Sequence, residues 1–83
     1  MTREKIFEKL NEIFRDVFFN PDITLTDATA SQDIEGWDSL THITLIGMIE
    51  DEFLIKFSME EIVSMSNVGE MVNTIMKQME QKS

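Results

Sequence analysis

The sequence predicts an all-α fold, a bundle of four helices with a long loop between the first two and a short third helix. Three observations carry that prediction. Apolar residues recur at three- and four-residue steps over 3–18, over 38–53 and from 68 onward, the period of helices with a buried face. Side chains suited to capping helix N-termini stand just ahead of the helical stretches. Finally, 42% hydrophobic residues, including six Phe and seven Met, are enough to attempt a core in a chain with no Cys to staple it. At 83 residues the chain is expected to form one domain over 1–83 with a thin core.

The first helix is expected over 3–18. Ile6, Phe7, Leu10, Ile13, Phe14 and Val17 form its apolar stripe, and Glu4, Glu8, Lys9, Glu12 and Arg15 fill the opposite side. Thr2 is the candidate N-cap, and Asn20-Pro21 is expected to end the segment, because a residue before proline is pushed out of the helical region. The polar face mixes both signs of charge, which favours packing on a core over lying on a membrane. From Phe19 to Trp37 no helical stripe is present. Ile23, Leu25 and Ile34 are isolated apolar anchors there, expected to lay this connection over the helices; a loop of such length is commonly functional.

The second helix is expected from about Asp38 to Phe53, with Asp38 as N-cap and Gly36 giving the chain room to turn before it. On a wheel of about 100° per residue, Leu45, Ile46, Ile49 and Phe53 share one sector, and His42 points roughly the same way. Leu40, Ile43, Thr44, Gly47 and Asp51 fall on the other side. The helix therefore carries a core stripe and a second, partly apolar face rimmed by acids, which marks a docking surface unless a third helix covers it. Ser58-Met59-Glu60-Glu61 has the form of a capping box opening a short helix through Val63. Asn67-Val68-Gly69-Glu70 opens the last helix in the same manner, with Val68, Met71, Val72, Ile75, Met76 and Met79 as its stripe.

Charge narrows the function. Sixteen acidic against seven basic side chains give a net charge of −9, which disfavours nucleic-acid binding and suits steering toward basic partners. No segment approaches the length of a membrane span, and the opening Met-Thr-Arg-Glu-Lys lacks a secretory apolar core, so a cytoplasmic protein is expected. One His and no Cys leave no metal-ligand cluster, and the three glycines form no phosphate loop. Ser39 and His42 lie within a helical turn of each other, but a Ser–His hydrolase would also need an orienting group and an oxyanion hole, and nothing obvious supplies them. Ser39 by itself stands in the first turn of the second helix, where free N–H groups and the helix dipole favour a phosphate ester. An ordinary capping serine would occupy the same position.

The stretch Gly36-Trp37-Asp38-Ser39-Leu40 decides between these readings. It resembles the Asp-Ser-Leu signature of the acyl carrier and peptidyl carrier protein superfamily. The order of elements, with Ile49-Glu50-Asp51-Glu52-Phe53 closing the second helix, extends the resemblance over essentially the whole chain. The resemblance implies a stand-alone carrier, not an enzyme, with a 4′-phosphopantetheine arm on Ser39 placed there by a phosphopantetheinyl transferase. An acyl or aminoacyl group is then held as a thioester for loading enzymes and downstream transferases or synthases. It also implies that Asp38 helps position the transferase's metal ion. Leu40, Ile43, Thr44 and Gly47, with Glu50 and Asp51, correspond to the face that partners read. Leu45, Ile46 and Ile49, with His42 near the entrance, are candidate lining for an acyl pocket. A monomer is expected. Thr41 and Thr44 replace acids of the housekeeping fatty-acid carriers, and Gly47 replaces their Met. With Trp37 ahead of the aspartate, these departures point to a carrier of a specialised pathway, with the housekeeping form and an unmodified helical adaptor as alternatives.

Overall fold

The computed structural model of the protein describes residues 2–82, the last by its backbone alone. Four α-helices follow one another: α1 (Arg3–Val17), α2 (Ser39–Phe53), α3 (Met59–Ser64) and α4 (Val68–Lys82). α1 packs on both α2 and α4. Among the described residues no helix is long and apolar enough to cross a membrane.

The core is the one the periodicities predict. Ile6, Leu10 and Phe14 of α1, Leu45 and Ile49 of α2, and Val68, Val72 and Ile75 of α4 are fully buried. Ile23, Leu25 and Ile34 are buried as well, so the 19–37 connection is laid over the helices as expected. Hydrogen bonds then fix it: Arg15 Nε donates to Ile23 O at 2.8 Å and Leu25 N–H to Asn11 Oδ1 at 2.8 Å. The first donors of α4 complete the attachment, since Val68 N–H reaches Thr29 O at 2.8 Å and Gly69 N–H reaches Asp27 O at 2.9 Å. Helix-start donors with no intrahelical partner are thereby satisfied by loop carbonyls. A short 3-10 turn over Ser31–Asp33, absent from the sequence expectation, tightens the connection before α2.

Helix starts follow the sequence, α2 ends at Phe53 as expected, and α1 stops one residue short of the expected 18. Thr2 caps α1 through Lys5 N–H, and Ser58 with Glu61 forms the expected box at α3. At α4 Asn67 Oδ1 accepts from Glu70 N–H, but the Glu70 carboxylate reaches back to Ser66 N–H at 2.7 Å, one residue earlier than a reciprocal box would have it. α1 stops at Val17, ahead of Asn20-Pro21, because Phe19 takes a left-handed backbone with φ 51°. That lets Asn20 N–H bond Arg15 O at 3.1 Å, the six-to-one closure of a Schellman motif. Leu54 does the same at the end of α2, with φ 56° and an Ile55 N–H to Glu50 O bond of 3.2 Å.

Candidate functional site

The start of α2 is built from the loop that leads into it. Gly36 has φ +91°, a conformation side chains other than glycine rarely adopt, although space for a Cβ exists there 3.6 Å from Phe18 Cδ1. The turn delivers Asp38 as N-cap, whose Oδ1 accepts from Leu40 N–H and Thr41 N–H at 3.0 Å each. Thr41 reciprocates: its Oγ1 accepts from Asp38 N–H at 2.8 Å and donates toward Gly36 O at 2.9 Å. The Thr41 backbone N–H foremost holds the Asp38 carboxyl below the ordinary aspartate range, helped by the Thr41 hydroxyl and Leu40 N–H and opposed by desolvation. Thr41 thus completes the cap through its hydroxyl.

Ser39 is exposed in the first turn, and no group among the described residues hydrogen-bonds its hydroxyl. It lines a cleft of about 390 Å3 that opens between the start of α2 and α3. The exposed hydroxyl, the helix N-terminus behind it and the open cleft beside it fit an attachment point for a phosphate ester.

His42 is not poised as a base for Ser39. Trp37 Nε1–H donates to His42 Nδ1 at 3.1 Å, and His42 Nε2 lies 3.1 Å from Ile62 O. An indole only donates, so Nδ1 accepts and Nε2 carries the hydrogen toward the Ile62 carbonyl. Both ring nitrogens are thus engaged in joining the loop, α2 and α3. His42 lines the cleft, whereas Leu45, Ile46 and Ile49 are buried in the core and are not among the residues lining it. Trp37, Met65, Ser66 and Asn67 line it too, and sequence reasoning had given none of them a site role. The signal for Trp37 was available, since a half-buried indole needs an acceptor and the single His stands close in sequence.

Along α2 the outer face is open. Leu40 is 81% and Ile43 58% exposed, Thr44 and Asp51 are exposed and Gly47 is half-buried. No third helix covers Leu40 or Ile43, while α3 adds exposed Met59 and Val63, which were not anticipated. Glu50 differs from Asp51: it is half-buried, and its Oε2 accepts from Phe57 N–H at 2.9 Å.

Comparison with known proteins agrees with this geometry. The family model described as the phosphopantetheine attachment site matches residues 8–75. Among solved structures, the solution NMR structure of the holo acyl carrier protein from Geobacter metallireducens is 38% identical, covering 92% of this chain and 87% of its own, with a TM-score of 0.86. No curated protein matches the chain. The sequence motif, the bundle and the match agree: the chain belongs to the phosphopantetheine attachment-site family and is a carrier, not an enzyme, holding cargo as a thioester on a covalent phosphopantetheine arm.

Proposed function

We propose that Ser39 bears the arm, that Asp38 helps position the transferase's metal ion, and that the outer face of α2 is what partner enzymes read. The observation that carries this reading is the exposed Ser39 hydroxyl, with no hydrogen-bond partner among the described residues, in the first turn of α2 and lining a cleft. Once attached, phosphopantetheine supplies a thiol that carries the cargo. Asp38 uses Oδ1 for capping, which leaves Oδ2 for a metal ion. Leu40, Ile43, Thr44 and Gly47 give the docking face an apolar centre, and Asp51 gives it a charge; Glu50 adds its charge from a fixed position.

The reading extends to a specialised biosynthetic pathway rather than fatty-acid synthesis, with the protein acting as a cytoplasmic monomer and 1–83 as one carrier unit. Gly47 supports the pathway assignment, because a Cβ there would meet nothing within 4 Å. Packing therefore does not demand the glycine, and the flat surface answers to something outside the chain. Thr44 spends its hydroxyl on Leu40 O at 3.3 Å and leaves the face less acidic near Ser39.

The test is loading. Coenzyme A and a broad-specificity phosphopantetheinyl transferase add one phosphopantetheine to the wild type by intact mass, and nothing to Ser39→Ala. An unmodified wild type under several transferases sinks the assignment. Asp38→Asn keeps a good cap but slows loading by roughly 10-fold or more, the scale of losing a group that orients a metal. Expression beside the native neighbouring enzymes, followed by thioester release, identifies the cargo; an ordinary long fatty acid refutes the specialised pathway.

A further inference from the structure

Phe19 carries a ring that the fold does not use. Phe14, Phe53 and Phe57 are buried and Phe7 and Phe18 pack against the core, whereas Phe19 is 92% exposed. Its backbone closes α1 with a left-handed turn at φ 51°, a task that glycine performs without steric conflict. Packing and backbone geometry both favour a different residue here, so the reason for the ring lies outside the chain. Position tells which outside partner would meet it. Phe14 and Phe18, one turn apart at the end of α1, both face Trp37, with ring centroids 5.2 Å and 6.3 Å away. Trp37 precedes Ser39 by two residues, so the exposed ring stands on the same end of the bundle as the attachment hydroxyl. Leu54 shares the left-handed backbone and is 75% exposed, but it follows the far end of α2, roughly 22 Å along the helix from Ser39 at 1.5 Å per residue.

Charge names the kind of surface that would cover the ring. No Lys or Arg occurs from Asp16 to Ile55. Asp16 and Asp22 are exposed three residues to either side of Phe19, and Glu35 is exposed beside Gly36, whose Cβ position lies 3.6 Å from Phe18 Cδ1. The neighbouring cation, Arg15, is tied through Nε to Ile23 O. An apolar anchor in a field of uncompensated acids is complementary to an apolar pocket in a basic surface. We propose that Phe19 is a docking anchor for the phosphopantetheinyl transferase, which seats the ring in such a pocket while its active site stands over Ser39. The contact extends the docking face beyond α2 and adds an aromatic anchor at the end of α1 to Leu40 and Ile43. The proposal rests on the reading that Ser39 bears the arm.

Loading kinetics test the anchor. The apo protein is converted with coenzyme A and a broad-specificity phosphopantetheinyl transferase, and intact mass is followed over a range of carrier concentrations to give KM and kcat separately. Phe19→Ala removes the ring and keeps the Cβ; it is expected to raise KM by roughly 10-fold, the scale of truncating an aromatic anchor, with kcat unchanged. Phe19→Gly, at least as stable as the wild type in thermal melts, is expected to show the same rise, which separates lost docking from lost fold. Leu54→Ala removes an equally placed side chain at the other end of α2 and leaves KM unchanged. A wild-type KM in Phe19→Ala overturns the anchor while loading itself keeps the Ser39 assignment intact. An equal rise in Leu54→Ala, or a fall in kcat at constant KM, overturns it as well. A wild type whose mass does not change overturns both readings.

Discussion

Phe19 and Leu54 hold left-handed backbones while exposing most of their side chains, 92% and 75% respectively. A side-chain-bearing residue in that region costs about 1–2 kcal/mol, and so exposed a ring recovers little of it through packing. Phe19→Gly removes the strain, although the freer unfolded chain takes back about 0.4–1 kcal/mol. The expected outcome is a gain of up to about 1 kcal/mol, or about 4–8 °C in Tm for a domain of this size. Phe19→Ala keeps the Cβ and shows no such gain, so thermal melts of the two variants separate strain from loss of the ring. The same reasoning explains why the sequence did not reveal the left-handed turn that closes α1. Helix ends are usually announced by glycine at the left-handed position; here phenylalanine and leucine occupy it, and after α1 only Asn20-Pro21 signalled a stop.

At the scale of elements, two helical glycines make opposite predictions. Gly47 lies inside α2 with open space at its Cβ position, so Gly47→Ala gains helix propensity of about 1 kcal/mol. Gly69 lies in the first turn of α4, where a Cβ would stand 2.9 Å from Asp27 O. That carbonyl accepts the Gly69 N–H itself, so it cannot retreat without losing the bond that docks the loop. Gly69→Ala is expected to cost about 1–3 kcal/mol through overpacking, and chemical denaturation of the pair measures both signs. A stabilised Gly69→Ala would mean that the 19–37 connection is not anchored on α4. Elements with one apolar stripe and a capping residue were readable from sequence, as were Asp38, Ser39 and the open face of α2. The cleft was not, because the 31–39 segment, His42 and the 62–71 segment meet only in three dimensions. The wheel aimed His42 at the core side, and its actual partners are an indole five residues earlier and a carbonyl twenty residues later.

For the whole molecule, the net charge of −9 sets stability against recognition. Three ion pairs, Arg3–Asp27, Lys5–Glu8 and Lys9–Glu52, are formed among the described residues, and all three draw their cation from α1. The acids of α2 and α3 outnumber nearby cations, and the folded chain measures only 35 × 25 × 22 Å. The Debye length is about 30 Å at 0.01 M salt, comparable with the molecule itself, and falls to about 8 Å at 0.15 M. At low salt every carboxylate therefore repels the others across the fold, and folding has to overcome that repulsion. The same field reaches beyond the surface and draws in a basic partner. Raising salt over this range is expected to increase Tm while slowing association with a phosphopantetheinyl transferase by roughly 10-fold, the low end of electrostatic steering. Calorimetry and stopped-flow binding measured in the same buffers test the pair of effects. If Tm rises and the association rate stays flat, the acids serve solubility alone, and docking on α2 rests on Leu40 and Ile43 without electrostatic help.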